Sequence, residues 1–466
     1  MALAKSPTAA KPATLMRAPS TAPRKRPGHA PRRWVADACL GVAGLGFGAI
    51  LALVITGESR GSLAAPGGML IAGGRLAGFS GAYLMLVMVV LIARLPWLER
   101  SVGQDQLVRW HRRVAPWALG LIGAHVVLIT LGYAQSAKVG PLRQFWEFLT
   151  TYPDLLAAAV GFGLLVMAGI TSIKIARRHL KYETWWIVHL YLYLALALAF
   201  AHQIVTGVSF IGHPLTRAVW IAVWTATAGM VITFRVAQPI LRNLRHQLRV
   251  VAVREEAPGV VSVVCSGRRL SRLRVSGGQF FHWRFLTPGL WWHAHPYSLS
   301  AMPQPPYLRI TVKGLGDQSR AVAHLTPGTR VFIEGPYGAF TRHTRSSERV
   351  ALIAAGVGIT PLRALLEDLP ESVDVTVVVR ASTTEDIVHR DEVADLVQRR
   401  GGQLHELVGS RRRVRLDAGS LRRLVPDIAA SDVYICGPEG FNQLVVAAAC
   451  KLGVHRDRIH QEVFSF

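Results

Sequence analysis

The chain has 466 residues, room for two or three domains, and 51% of them are hydrophobic. A formal net charge of +25 raises a nucleic-acid role, but the basic residues cluster between apolar runs, as in loops beside membrane spans, so no nucleic-acid partner is called for. Cys39, Cys265, Cys436 and Cys450 are scattered without iron–sulfur spacing, so neither a cluster nor a disulfide framework is implied.

Residues 1–33 are rich in Pro, Ala, Lys and Arg and contain no acid. With no apolar stretch they do not read as a secretory signal. The expectation is a disordered basic tail in the cytoplasm touching anionic lipid, with an organellar transit peptide as the alternative. Six apolar runs follow, near Val35–Thr56, Leu76–Ala93, Trp110–Tyr133, Leu155–Ile173, Trp185–Thr206 and Ala218–Phe234. Most reach the ~20 residues that a helix needs to cross hydrocarbon, and the second is short enough that its start falls nearer Gly68. Six crossings put both ends of the chain on one side. The tail and the loops after the second, fourth and sixth runs carry the arginines and lysines, and the alternate loops are poor in them. The positive-inside rule therefore predicts a multi-pass protein of the plasma membrane with both termini cytoplasmic.

Four histidines lie in these runs, His111 and His125 on the third and His189 and His202 on the fifth. Imidazole in hydrocarbon is costly and marks function. Fourteen residues separate the first two and thirteen the second, about 21 Å and 19.5 Å of helix at 1.5 Å per residue. Matched depth predicts two stacked haem irons, an inner one on His111 and His189 and an outer one on His125 and His202. Helix-packing histidines, or separate zinc or copper sites, are the alternatives. Fourteen steps return to within about 40° of the same helix face, but thirteen end about 140° away. The fifth span therefore needs a bulge or kink, or haems on different sides of it.

Beyond Pro239 short β-rich runs begin: Val250–Val253, Val260–Cys265, Leu308–Val312 and Val331–Ile333, read as an antiparallel barrel. Within it, His295-Pro296-Tyr297-Ser298-Leu299-Ser300 puts an aromatic beside a hydroxyl on a strand, an arrangement that covers a flavin ring and bonds its polar edge. Lys313, Gly316 and Ser319 supply a cation, a glycine and a hydroxyl where a chain wraps a pyrophosphate. The last third alternates strands and helices. Strand Val350–Ala354 leads into Gly356-Val357-Gly358-Ile359-Thr360-Pro361, in which Gly356, Gly358, Thr360 and Pro361 open a helix as an anion site. Strand Val375–Val379 ends at Arg380-Ala381-Ser382, and strand Val433–Ile435 at Cys436-Gly437-Pro438. Three such strand ends place a ligand at the carboxyl edge of a parallel sheet. Arg380 and Ser382 suit a 2′-phosphate, favouring NADPH while leaving NADH open. Cys436 is either a small core residue or a contact to the nicotinamide. The terminal Phe466 either packs or stacks on a flavin and swings aside.

Together these residues resemble the NADPH oxidase / ferric reductase family of membrane flavocytochromes, over about residues 35–466. The paired histidines are similar to its two-helix, two-haem arrangement, His295-Pro296-Tyr297-Ser298-Leu299 to its FAD signature, Gly356–Pro361 and Cys436-Gly437-Pro438 to its nicotinamide segments, and Phe466 to its terminal aromatic. The resemblance implies a tail at 1–33, a six-helix di-haem unit at 34–238, an FAD barrel at 239–345 and an α/β NAD(P) domain at 346–466. It also implies two haem b groups, FAD and NADPH as cofactors, with Cys436 and Phe466 at the hydride-transfer site. The implied activity is electron transfer to an outer acceptor, foremost O2 in a superoxide- or peroxide-forming oxidase. A ferric-chelate reductase, or an electron-supply subunit for a partner protein on the outer face, are the alternatives. One departure weakens direct superoxide formation: where superoxide-forming members carry a further histidine one turn after the outer ligand, this chain has Ile129.

Overall fold

The computed structural model describes residues 33–180, 182–207, 210, 213–410 and 414–464. The basic tail, apart from Arg33, and the terminal Phe466 lie outside the described residues. Six helices are long and apolar enough to cross a membrane. They run Arg33–Thr56, Gly68–Ile92, Gln104–Ala137, Pro153–Ser172, Tyr182–Val205 and Pro214–Val231. Only a helix satisfies its own backbone groups in lipid, which is why each apolar run takes that form.

The second span begins at Gly68, as its composition suggests, so Arg75 lies within the helix rather than in a loop. The third starts at Gln104, six residues before its apolar run, and carries Arg109, Arg112 and Arg113 on its first turns. Glycines let the second and third spans approach closely. A Cβ at Gly74 would stand 2.8 Å from Ile129, and one at Gly81 would stand 2.7 Å from Ile122.

The sixth helix does not stop at Pro239. It passes through a π-helical turn, Ile232–Ala237, and continues as Gln238–His246. Pro239 follows directly on the π-helical turn, the kind of widened turn that accommodates a residue with no N–H inside a continuous helix. The helix then docks on the β-barrel that follows it. The Asn243 side chain accepts from the Ile333 N–H (2.8 Å) and donates to the Ile333 carbonyl (3.0 Å), acting as a short strand partner.

Six strands form the barrel: β1 Arg249–Ala257, β2 Val260–Ser266, β3 Phe280–Phe285, β4 His295–Ser298, β5 Tyr307–Lys313 and β6 Val331–Tyr337. They pair antiparallel as β1-β2-β5 and β4-β3-β6. Isolated bridges Leu299–Ile310 and Arg249–Arg330 close the ring. Strand β3 buries Phe281, Trp283 and Phe285 at alternate positions, the period of a strand with one face inward.

Five parallel strands follow: β7 Arg349–Ala355, β8 Asp374–Ala381, β9 Gln403–Val408, β10 Asp432–Gly437 and β11 Ile459–Val463. Their order is β11-β10-β7-β8-β9, so the winding reverses between β7 and β10. The fold is therefore a six-helix membrane bundle, an antiparallel barrel and a parallel α/β sheet.

Barrel and sheet meet through a fork. Arg309 on β5 donates from both terminal nitrogens to Glu392, each at 2.6 Å, and holds that carboxyl below the usual range. A lowered native value means the contribution is complete above about pH 4.5 and fades as acid protonates the carboxylate. Glu392→Gln is expected to cost about 1 kcal/mol at pH 7, discounted because the pair is partly solvated. Thermal unfolding midpoints compared at pH 7 and below pH 4 check it, and the gap between variant and parent should narrow in acid.

Candidate functional site

The third and fifth spans set their histidines face to face. The His111 and His189 rings lie with centres 6.3 Å apart, and those of His125 and His202 lie 6.4 Å apart. Two imidazoles sharing one metal from opposite sides, each with a bond of about 2 Å and its ring centre about 1 Å beyond the nitrogen, come to about this separation. The fifth helix is unbroken α-helix through both histidines, so no bulge supplies the phase.

The second span fixes the rings of the third. The Met88 carbonyl accepts from His111 Nδ1 (3.2 Å) and the Gly74 carbonyl from His125 Nδ1 (2.8 Å), in the tautomer that leaves Nε2 free. Met88 and Gly74 are fourteen residues apart, as the histidines are, and the two helices run antiparallel. Gly78 makes the room: a Cβ there would stand 2.5 Å from His125 Nδ1. On the fifth span, His189 Nδ1 faces the Ser172 hydroxyl at 3.4 Å, while His202 Nδ1 is buried without a partner. This donor set fits two haem irons, which His111 with His189 and His125 with His202 would hold.

A cavity of about 570 Å³ surrounds the second pair, a volume in the range of ligand-sized clefts. Its lining is mostly apolar, with Ile129, Phe148 and Phe162 beside His125 and His202. Arg75 is its one fixed charge among the described residues, and donates to Glu58 at 2.9 Å. Nothing in the charge pattern of the loops singles out Arg75; the signal that finds it is an arginine within reach of an apolar helix.

At the other end tryptophans tie the span to the barrel. Trp185 stacks on His189 with centres 5.0 Å apart, and Trp186 meets Trp292 at 6.4 Å, edge to face. Trp292 lies three residues before His295. The paired tryptophans at 185–186 and 291–292 were legible as a pattern but not as a contact. Arg94, at the end of the second span, adds a second tie, lying over the Tyr337 ring of β6 at 4.2 Å.

Strand β4 carries the flavin candidates. His295 and Tyr297 share one face and stack at 5.7 Å. His295 Nε2 and Ser298 Oγ are buried without partners, the kind of orphaned polar atoms that a ligand satisfies. Burial pushes the His295 imidazole down to about 4, so it is neutral at pH 7. Pro296 is exposed and Leu299 packs in the barrel core. In the next loop, Ser319 Oγ accepts from the N–H groups of Leu315 (2.9 Å) and Gly316 (2.8 Å), so this hydroxyl shapes its own turn. Lys313 is exposed at the end of β5.

The nicotinamide candidates gather where the sheet reverses. Gly356–Gly358 leaves β7, and Gly437-Pro438 leaves β10. The turns touch so closely that a Cβ at Gly358 would collide with the carbonyl of Cys436. Thr360 Oγ1, in the first turn of helix Ile359–Asp368, is buried without a partner, and Pro361 follows it. A turn plus a helix N-terminus with an unspent hydroxyl fits a phosphate. Arg380 ends β8 and donates to the Gly409 carbonyl at 3.3 Å, and Ser382 is exposed beside it. The Cys436 thiol is fully buried in the sheet core, and burial pushes it far up, so it is a neutral thiol. Phe464 donates its N–H to the Gly437 carbonyl at 3.3 Å, bringing the chain end to this turn.

Residues 77–200 match the family described as a ferric reductase like transmembrane component, residues 247–341 an FAD-binding domain, and residues 352–447 an oxidoreductase NAD-binding domain. NADPH oxidase 5 of Homo sapiens is 25% identical over 348 residues, 62% of this chain and 42% of that protein. A flavohemoprotein of Vibrio cholerae is 34% identical over 180 residues, 36% of this chain and 45% of that protein. A solved structure, the flavohem-like FAD/NAD binding domain of nitric oxide dioxygenase from Vibrio cholerae, is 26% identical with a TM-score of 0.39, over 47% of this chain and 98% of that one. The chain spans about half the length of the curated relatives it matches.

Gly358→Ala is expected to force the two turns apart and raise the KM for the nicotinamide nucleotide about tenfold, some 1.4 kcal/mol of binding, with flavin content unchanged; steady-state kinetics checks it. The chain therefore carries, on one polypeptide, a ferric reductase like transmembrane component, an FAD-binding domain and an oxidoreductase NAD-binding domain, the make-up of a membrane oxidoreductase.

Proposed function

We propose that the protein moves electrons from NADPH, by way of FAD and two b-type haems, across the plasma membrane to an acceptor at the face away from the flavin module. Its division of labour would be 34–238 for the haems, 239–345 for the flavin and 346–466 for the nucleotide. The observation that carries this reading is the pair of facing imidazole pairs, 6.3 and 6.4 Å between centres, in a chain that also holds flavin and nicotinamide domains. A bound flavin supplies the conversion of a two-electron hydride into single electrons.

The chain's own residues do the placing. Gly356, Gly358, Thr360, Gly437 and Pro438 would hold the nicotinamide nucleotide, with Arg380 and Ser382 at its 2′-phosphate. Cys436 would act through its backbone, since its thiol is turned into the core. His295, Tyr297 and Ser298 would seat the flavin, Lys313 and Gly316 its pyrophosphate, and Phe466 would cover the ring. Trp292 and Trp186 set that strand against the fifth span, and His189 and His111 lie next along it. Basic loops on the flavin-module side support a cytoplasmic placement of that module.

The cavity around His125 and His202 would seat the outer porphyrin, and its mostly apolar walls favour O2 as acceptor at that end, because a small apolar molecule crosses such a lining without losing hydration. Arg75 supports a second reading, an anionic ferric chelate drawn to the far mouth. Anaerobic reoxidation by O2 compared with Fe(III) citrate separates the two.

Under nitrogen, NADPH should reduce a low-spin b-type spectrum only in FAD-loaded protein. His125→Leu is expected to abolish reduction of external acceptors while NADPH still bleaches the flavin. Full-rate reduction by that variant, or pigment-free protein from haem-replete cells, would overturn the proposal. Gly78→Val should press on the His125 ring and weaken haem retention about 10- to 100-fold at that site, seen as a falling haem-to-flavin ratio.

A further inference from the structure

A second cavity, of about 860 Å³, lies between the end of the sixth helix and the barrel. The helix runs continuously from Pro214 to His246, 33 residues or about 50 Å, against a hydrocarbon core of about 30 Å. Its last turns therefore stand at the headgroup level on the flavin-module side. That segment has three faces. Asn243 and His246 bond the barrel. Ile240, Leu241 and Leu244 are exposed by 52, 62 and 64%, although they stand on a helix end outside the bundle. Arg242 and Arg245 line the cavity, and the barrel contributes Arg272 and Arg274 from the facing loop.

The lining is split in chemistry. Thr233, Ala237 and Leu241 line it along the helix from the bundle side, Arg242 and Arg245 from the last turns of that helix, and Arg272 and Arg274 from the barrel loop. Among the described residues no carboxylate lines the cavity, and none of these four guanidinium groups forms an ion pair. The charge of Glu334 reaches Arg242 and offsets part of its repulsion with Arg245, but four guanidinium groups around one cavity still leave an excess of positive charge that an anion lying between them would neutralise. An apolar wall continuous with the bilayer, closed by cations at headgroup depth, matches a phospholipid with a net negative headgroup.

We propose that this cavity is a binding site for an anionic phospholipid of the leaflet facing the flavin module. Its phosphate lies among Arg242, Arg245, Arg272 and Arg274, and its acyl chains run along Leu241 toward the bundle. The lipid bridges the sixth helix and the barrel loop, and does not depend on which acceptor receives electrons.

Native mass spectrometry of the full chain, released from detergent after equilibration with equal amounts of phosphatidylglycerol and phosphatidylcholine, tests this. Wild-type protein should retain phosphatidylglycerol in preference. Arg272→Glu with Arg274→Glu should lose that preference by about thirtyfold. Arg272→Gln with Arg274→Gln serves if the charge reversal does not fold, with unfolding temperature and flavin content as the check on folding. Equal retention of the two lipids by wild type, undiminished preference in the folded variants, or equal competition by soluble glycerol 3-phosphate would each overturn the proposal.

Discussion

A ring nitrogen in hydrocarbon must find a partner, and this requirement organises the membrane half of the protein. Each imidazole has two nitrogens and only one can be satisfied by the helix beside it. Carbonyls of the second span take Nδ1 of His111 and His125, which aims Nε2 across the gap toward the fifth span. The arrangement needs a close approach of two helices, and the glycines at 74, 78 and 81 supply it. The second span carries no ligand of its own and still determines where both histidines point.

Much of this was legible in the sequence because it is written in periodicity. Six apolar runs, four histidines at matched depth and three glycine- or hydroxyl-bearing strand ends all leave a linear trace. The spans came out within a few residues, except where amphipathic turns extend them, as at Gln104 and beyond Pro239. Strand β3 went unnoticed because polar His282 and Arg284 alternate with its buried aromatics. Strands β9 and β11 are short edge strands with little apolar contrast.

Contacts between distant segments left no such trace. Nothing local to Gly78 marks it as the space for an imidazole 47 positions on. The meeting of Trp186 with Trp292, or of Arg94 with Tyr337, depends on the whole barrel being docked. Ser319 shows a contact of another kind. Its hydroxyl reads as a phosphate ligand, yet backbone N–H groups of its own loop already occupy it. Cys436 likewise has a reactive side chain, but the alternation of β10 turns it inward among Tyr434 and its neighbours.

The sixth helix enters the barrel without a flexible joint, pinned by Asn243 to β6. A strut of this kind couples attitude on both sides of the lipid surface. In a thinner bilayer the helix must lean further to keep its apolar length covered, and the barrel leans with it. Membrane thickness thus becomes a mechanical input to the distance between Trp292 and Trp186, and so to the alignment of the soluble half over the buried one.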